Sequence, residues 1–275
     1  MGGRRRSGDP GPALLPARAV SSADVITCAL AREVRPDDVV GVGLGTPLAL
    51  CACLVAQRTG APGATVLVGG AVSPRATLDE CLHHDVAGRT PGYVPHLDTM
   101  DMAERQALTL QFLRPAQVGA DGSANTSRVS AAGRIVRFPG GLALADVPNL
   151  LPRIVLYHTA HEPRALPAAV GFRTSAGGGI ERPGYRTLGP TKLVTDLCVI
   201  AFSPDGPQLE SVHPGVSVDE VVAATGFELR IVDPGETPAP SDAEEEALAA
   251  VDPNRRRDIE IRRRRDAATE GSARA

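Results

Sequence analysis

Apolar side chains along the first third of the chain follow the period of a helix and then that of strands. After a candidate cap at Ser21 or Ser22, apolar residues recur three or four positions apart, at Val25, Ile26, Ala29, Leu30 and Val34. The polar sequence 35–38, Arg-Pro-Asp-Asp, ends this repeat. The pattern therefore predicts a helix followed by a turn.

A short β-branched run at 39–42 comes next and leads into glycines at Gly43 and Gly45. Pro47 then stands where the first turn of a helix would begin, and this helix is predicted to extend to Arg58. The segment is typical of a strand, a glycine loop and a helix.

A second run of the same kind, 64–68, leads into Gly69 and Gly70. The order helix, strand, helix, strand favours an α/β fold with a mainly parallel sheet covered by helices. A later helix is predicted at 218–224, between a Ser217 cap and Gly226. Further strands are predicted at 107–113, 154–158, 168–172, 192–195, 199–202 and 228–232.

Composition sets the limits of the folded part. The chain has 275 residues, a formal net charge of -3, 43% hydrophobic and 22% charged side chains, which is typical of a globular protein. Residues 1–17 are rich in Gly, Pro and Arg and are predicted to be a flexible tail. Residues 233–275 carry an acidic patch and two arginine runs, and we expect a charged, mostly flexible tail. One domain is therefore predicted over 18–232.

Three classes of protein are excluded by the same counts. No apolar run reaches the roughly 18 residues of a membrane span, and no apolar segment follows the basic start, so we expect a cytoplasmic protein without membrane contact. The 5 cysteines are an odd number and include no CxxC pair, so neither a disulfide framework nor a zinc finger is expected. They are interpreted as core residues. The absence of Trp and the net negative charge argue against a nucleic-acid partner.

Glycine-rich strand ends are the candidate sites, because ligands of parallel α/β sheets bind beyond the carboxyl ends of the strands. The loop of Gly43 and Gly45 aims a helix N-terminus at an anion or a developing oxyanion, and the alternative is a tight turn. For Gly69 and Gly70, too, the alternative to a ligand site is a tight turn. The pattern is not a dinucleotide fingerprint, because Pro47 stands in place of the third glycine.

Other clusters have simpler interpretations. The segment 117–125 is typical of a hairpin with an Asp-Gly turn. His83, His84 and Asp85 are adjacent in sequence and have no evident third ligand, so no metal site is predicted.

Six segments in the same order resemble the B (beta) subunit of family I CoA-transferases, in the style of glutaconate CoA-transferase and its relatives in bacterial steroid-ring degradation. They include a G-x-G-x-P loop, a strand that presents the catalytic loop, and a G-P-x-x-x-V-T-D stretch. The segments are 43–47, 64–70, 117–125, 137–141, 188–196 and 213–228.

The resemblance implies a three-layer αβα sandwich that works as a heteromer with an α subunit. It implies an acyl-CoA thioester as substrate, no permanently bound cofactor, and a place in lipid or steroid catabolism. It also implies that CoA or an oxyanion contacts a set of backbone and side-chain donors, namely Gly43, Gly45, Gly70, Gln117, Gly140 and Gly141.

One departure from the family concerns the catalytic group. The family forms a glutamyl-CoA intermediate on a glutamate, and alignment by eye places Gly69 at that position. Three interpretations stay open. The partner subunit supplies the chemistry, as in hydrolytic ring cleavage; a displaced carboxylate, Asp79 or Glu80, makes the chain a true transferase; or the chain is an inactive scaffold. Gly119 and Pro139, which also depart from the family pattern, favour the last.

Overall fold

The computed structural model describes residues 20–43, 45–74, 76–131, 133–141, 147–178, 187 and 189–261. The predicted tail at 1–17 and the arginine run at 262–265 lie outside the described residues.

Strands make up the middle layer. Nine form one sheet: β1 (Val39–Val42), β2 (Thr65–Val68), β3 (Ala71–Val72), β4 (Leu110–Leu113), β9 (Arg153–Tyr157), β10 (Pro190–Val194), β11 (Cys198–Ser203), β12 (Gly206–Val212) and β13 (Arg230–Glu236). Two hairpins stand apart: β5 (Gln117–Val118) with β6 (Ala124–Asn125), and β7 (Arg128–Ala131) with β8 (Arg134–Arg137).

Helices form the outer layers. They are α1 (Ser22–Ala31), α2 (Pro47–Ala56), α3 (Leu78–Leu82), α4 (His96–Glu104), α5 (Val147–Leu150), α6 (Val218–Ala224), α7 (Asp242–Val251) and a 3-10 helix (Arg256–Glu260). No helix in the described part of the chain is both long and apolar enough to cross a membrane.

The sheet is parallel at its centre and mixed at its ends. Its order is β13-β12-β11-β10-β9-β4-β1-β2-β3. Strands β10, β9, β4, β1 and β2 run parallel to one another, whereas β3 and β11 pair antiparallel with their neighbours. The predicted α/β fold with a mainly parallel sheet is confirmed.

Strand β9 shows why helices cover both faces. Ile154 and Leu156 belong to the core under α4, α5 and α6, and Val155 and Tyr157 belong to the core under α1, α2 and α7. Because successive side chains of a strand point to opposite faces, an apolar run of this kind needs cover on both sides. The result is the three-layer αβα sandwich.

Helix α2 lies deepest in the first of these cores. All ten of its residues are buried, and its neighbours are α1, α3, α7 and the sheet. A helix that is apolar on all sides is stable only in such a position. Its first residue, Pro47, has no N–H, so the amide of Leu48 is the first to need a partner.

One strand prediction is corrected, and one seven-residue strand of the sheet was not predicted. The segment 168–172 forms bends and not a strand: the carbonyl of Ala168 accepts from Ala120, and the amide of Gly171 donates to the Gln117 side chain. Strand β12 was missed because Leu209 is its only buried residue. Strands are predicted from the spacing of their apolar residues, and a mostly polar strand has too few of them.

The predicted tail from residue 233 onward is also corrected, as far as residue 261. Strand β13 crosses the predicted boundary, and α7 packs Ala247, Leu248 and Val251 into the core with α2. Ser241 and Glu244 form a capping box at the start of α7. This segment therefore belongs to the domain.

Arg257 anchors the end of the described chain. Its side chain is 3% exposed; Nε donates to Asp24 Oδ1 at 2.9 Å, and Nη1 donates to Asp252 Oδ2 at 2.7 Å. A buried guanidinium is stable only while both carboxylates face it. Part of the arginine run that suggested a solvated tail is thus a buried clamp.

At the amino edge of the sheet, where the central strands begin, Asp38 joins the starts of three of these strands. It accepts from Thr109 Oγ1 at 2.8 Å and from Arg153 Nη1 at 2.9 Å, and Thr109 and Arg153 stand at the starts of β4 and β9. Since Asp38 precedes β1, one carboxylate fixes the relative position of β1, β4 and β9.

The clamp predicts a large loss of stability for Arg257→Met. Removing one partner of a buried ion pair leaves the other charge unpaired, which costs about 3–5 kcal/mol. Arg105→Met is the control, because Arg105 pairs with Asp101 on the exposed surface and should change the unfolding free energy by less than about 1 kcal/mol. Urea unfolding measures both, and equal losses would contradict the assignment.

The buried side chain of His213 joins two strand ends through hydrogen bonds. Its Nε2 donates to the carbonyl of Thr195 at 2.8 Å, and its Nδ1 accepts from Thr237 Oγ1 at 2.9 Å. Burial lowers the pKa of His213 below its usual value, while the Thr195 carbonyl acts in the opposite direction. The neutral imidazole is therefore the form that the fold holds.

This neutral histidine predicts a loss of stability in acid. Because the folded pKa lies below the unfolded one, the unfolded chain binds the proton more tightly, and the stabilisation present above about pH 6.5 is lost as pH falls. His213→Gln should reduce the slope of unfolding free energy between about pH 7 and pH 5. Parallel slopes for the two proteins would show that His213 does not contribute.

Candidate active site at the carboxyl edge of the sheet

The glycine loop after β1 turns the chain into α2. Gly45 has φ of 72°, in the left-handed region that glycine tolerates, and Thr46 Oγ1 donates to the carbonyl of Gly43 at 2.7 Å. Apart from its neighbours in the chain, no described residue has an atom within 4 Å of the place where a Cβ on Gly45 would stand. The loop is thus an open turn that aims the N-terminus of α2 at the carboxyl edge.

A carboxylate of the same chain occupies that helix end. Glu260 Oε1 accepts from the Leu48 amide at 2.7 Å, across 212 positions of sequence. From the sequence we predicted an anion at this N-terminus, but Glu260 was assigned to a tail. The anion that the structure shows there is a protein side chain.

Two further groups converge on the Glu260 carboxylate. The Tyr157 hydroxyl donates to Oε2 at 3.0 Å, and Arg114 Nε lies 2.9 Å from the same oxygen. The Glu260 carbonyl accepts from Thr159 Oγ1 at 2.7 Å. Since Tyr157 ends β9 and Arg114 follows β4, the carboxylate joins the carboxyl ends of neighbouring parallel strands.

Burial controls the protonation of this cluster. The Glu260 side chain is 3% exposed. Burial raises the pKa of Glu260, and the Leu48 amide, Arg114 and Tyr157 act in the opposite direction. Burial also raises the pKa of Tyr157 well above its usual value, and the nearby Glu260 carboxylate raises it further. Tyr157 is therefore a neutral donor to Glu260 at neutral pH.

Gly69 and Gly70 form the two-residue turn between β2 and β3. Val68 pairs with Ala71 across it, and both glycines have positive φ, 55° and 89°. This is the geometry of a tight hairpin turn that favours glycine at both positions. A Cβ on Gly70 would lie 2.7 Å from the Val94 carbonyl oxygen.

Gly69 is exposed, and its surroundings are polar. A Cβ at this position would lie 3.3 Å from Cε1 of His84, which is also exposed. The end of β2 therefore offers backbone and a neighbouring imidazole, without a nucleophile of its own. That Gly69 stands at the family's glutamate position remains a prediction.

The two candidate displaced carboxylates hold structural contacts. Asp79 accepts from Arg256 Nε at 2.6 Å and from Asn254 at 3.2 Å, and the hydrogen bond from Arg256 lowers the pKa of Asp79. Glu80 belongs to the capping box of α3 and pairs with Arg89. Hydrogen bonding by Thr77 lowers the pKa of Glu80.

Gln117, Gly140 and Gly141 lie around the β5–β6 hairpin. Gln117 Oε1 accepts from Asn125 Nδ2 at 2.9 Å, while Gly140 and Thr126 exchange two hydrogen bonds of 2.9 Å. Asn125 and Thr126 are adjacent, so the hairpin brings the glutamine and the glycine loop together. A Cβ on Gly141 would lie 3.2 Å from Thr174. These residues form a second group, held by contacts of its own.

All five cysteines are buried and free, as the sequence predicted. Cys198 lies close to a base, with Sγ 3.6 Å from His161 Nδ1, and burial raises the pKa of this thiol to about 12. A thiol that stays protonated inside the core is a poor nucleophile. The cysteines act as small core residues.

Known proteins are similar to this chain in sequence and in fold. It is 28% identical over 250 residues to the B subunit of 3-oxoadipate CoA-transferase of Pseudomonas knackmussii, an alignment of 85% of this chain and 94% of that protein. The decarboxylase AibA/AibB superposes with a TM-score of 0.78 at 26% identity, over 88% of this chain and 99% of that chain. The chain is thus similar in sequence and fold to the B subunits of family I CoA-transferases.

A third similarity concerns the fold alone. Glutaconate coenzyme A-transferase of Acidaminococcus fermentans superposes on this chain with a TM-score of 0.73 at 21% identity, over 85% of this chain and 95% of that chain. No family model matches the chain. The resemblance drawn from the ordered motifs is confirmed at the level of family and fold.

The hairpin turn between β2 and β3 predicts different costs for two glycine substitutions. Gly70→Ala should lose more unfolding free energy than Gly88→Ala. Both have positive φ, which costs about 1–2 kcal/mol for alanine, but only the first meets a carbonyl at 2.7 Å. Thermal unfolding of the two variants measures the difference. Equal losses would mean that the turn shifts to relieve the clash.

Proposed function

We propose that this chain is the B-type component of a heteromeric enzyme that acts on an acyl-CoA thioester, with the reactive group supplied by its partner subunit. The similarity to a CoA-transferase B chain and to the two-component AibA/AibB protein supports a CoA thioester substrate and a partner. In this proposal, backbone donors at the carboxyl edge stabilise the oxyanion that forms on the thioester carbonyl.

One observation carries the proposal: β2 ends in a turn of two glycines, which themselves have no side chain that could attack a thioester. Glu260 is the buried carboxylate at this edge; its two oxygens already accept hydrogen bonds from Leu48 and Tyr157 and form an ion pair with Arg114. A carboxylate enclosed in this way is a structural anion and not a nucleophile. Covalent catalysis by this chain is therefore not part of the proposal.

The contacts of Asp79 and Glu80 do not favour the displaced-carboxylate transferase. Each carboxylate is engaged by an arginine and by a further donor, and each pKa is lowered. Attack from either position would require an ion pair to open first. An inactive scaffold remains the alternative if the partner subunit is active without this chain.

Decarboxylation is the second candidate reaction. The similarity to AibA/AibB covers 88% of this chain and supports it, and such a reaction also needs no glutamyl intermediate on this chain. The two chemistries differ in their products. Release of CO₂ from an acyl-CoA marks the decarboxylase, whereas a new thioester or free CoA marks transfer or hydrolysis.

Covalent labelling tests the proposal directly. The chain with its co-purified partner is incubated with succinyl-CoA and then treated with borohydride, which reduces a glutamyl thioester and marks its carbon. We expect no mark on any carboxylate of this chain, and turnover only when both subunits are present. Recovery of a mark at Asp79 or Glu80 would overturn the proposal in favour of the displaced-carboxylate transferase.

Gly69→Glu provides the matched variant. A glutamate here would be strained by the φ of 55° and would place a negative charge beside the developing oxyanion, so activity should not rise. Gly88→Glu, at another positive φ, is the control for backbone strain alone. A gain of activity in Gly69→Glu, with a mark at position 69, would show that a carboxylate at this position can run the family's standard mechanism.

A further inference from the structure

The side chain of Arg114 is partly exposed at the carboxyl edge. It directly follows β4, the strand between β1 and β9, and its side chain is 38% exposed. Nε faces Glu260 Oε2 at 2.9 Å. Within the described residues, no group accepts a hydrogen bond from its two terminal nitrogens.

Glu260 anchors the Nε side of this arginine through an ion pair. Its carboxylate is also fixed by the Leu48 amide and the Tyr157 hydroxyl, and its backbone carbonyl by Thr159. Three residues earlier, Arg257 is clamped between Asp24 and Asp252. An arginine that is held through Nε on a buried, fully engaged carboxylate loses little conformational entropy when its outer nitrogens bind an anion.

We propose that Arg114 is an oxyanion receptor of the active site, and that Glu260 is the positioning residue that aims its terminal nitrogens. The planar pair of N–H donors suits a carboxylate or a phosphate, which accepts two parallel hydrogen bonds. The proposal rests on the function proposed above, because a CoA thioester reaction supplies two such anions: a carboxylate of the acyl group or acceptor, and the phosphates of CoA.

The surrounding chemistry agrees with an anion at this place. Arg114 lies at the edge where the parallel strands β1, β4 and β9 end, which is where ligands of such sheets bind. Glu260 is the carboxylate in contact with Arg114 in the described part of the chain, and it also bonds to the helix amide. An incoming oxyanion therefore meets N–H donors at the outer side of the guanidinium.

Calorimetric titration of the full chain tests the receptor. The probes are succinate, inorganic phosphate and free CoA, and the variants are Arg114→Met and Arg114→Lys. We expect succinate or CoA to bind at least about tenfold more weakly to Arg114→Met, the loss typical of a charge-assisted hydrogen bond. Arg114→Lys keeps the charge without the paired donors and should recover only part of the affinity.

The pattern of losses identifies the source of the anion. Weaker binding of succinate assigns Arg114 to a substrate carboxylate, and weaker binding of CoA with unchanged succinate assigns it to a CoA phosphate. Arg105→Met removes an exposed arginine beyond the start of β4, at the other edge of the sheet, and should bind every probe as the natural chain does. Wild-type chain that binds none of the probes, or Arg114→Met that binds them all equally well, would overturn the proposal.

Glu260→Gln separates positioning from stability. The amide keeps an oxygen for the Leu48 N–H but loses the charge that holds Arg114, so anion affinity should fall by a factor similar to Arg114→Lys. The melting temperature is recorded beside it, and Arg257→Met, which lowers stability without touching Arg114, is the comparison. If affinity follows melting temperature across these variants, Glu260 has only a structural role and the positioning claim fails.

The outcome is distinguishable from failure of the proposed function. If the chain and its partner turn over an acyl-CoA and Arg114→Met leaves both affinity and KM unchanged, the receptor is wrong and the function stands. If wild-type chain binds succinate through Arg114 but the complex turns over no acyl-CoA, the receptor stands and the proposed function fails.

Discussion

The buried carboxylate of Glu260 is the contact on which the candidate site depends. It connects the last described helix of the chain with the first free amide of α2 and with the ends of β4 and β9. A carboxylate that is removed from water must be met by donors from every side, so its neighbours cannot move independently. The position of α2, Tyr157 and Arg114 is thus set by a residue that lies far away in sequence.

The central strands are held by charges at both of their edges. At the amino edge, Asp38 joins the starts of β1, β4 and β9; at the carboxyl edge, Glu260 joins the segments in which the same strands end. The core between the two carboxylates is apolar on both faces of the sheet. In the proposed function, the glycine turns are the parts of the carboxyl edge where the backbone itself meets a ligand.

Local pattern predicted the elements whose signals are local. The apolar repeat and serine cap located α1, the proline located the start of α2, and 218–224 matches α6. Helix α7 had a readable capping box in Ser241 and Glu244, but the charge of the surrounding segment outweighed it. A highly charged composition predicts a solvent-exposed segment. It cannot predict that Arg257 pairs with two carboxylates inside the fold.

The chemistry of the edge was only partly predictable. The glycine loop, the helix N-terminus and the need for an anion there follow from sequence, and the ordered motifs led to the resemblance that the known proteins also show. The identity of the anion did not, because Glu260 and Leu48 are 212 positions apart and no spacing rule relates them. The partners of Asp79 were hidden for the same reason, since Arg256 is 177 positions away.

Hydrogen exchange of the Leu48 amide tests most directly whether the end of the chain organises the site. The amide is followed in the full-length protein and in Glu260→Ala, with the amides of β4 and β9 as internal references for overall stability. We expect strong protection in the natural chain and selective loss of protection at Leu48 in the variant. Equal protection of Leu48 in both proteins would contradict this role of Glu260, because the helix end would then be satisfied without its carboxylate.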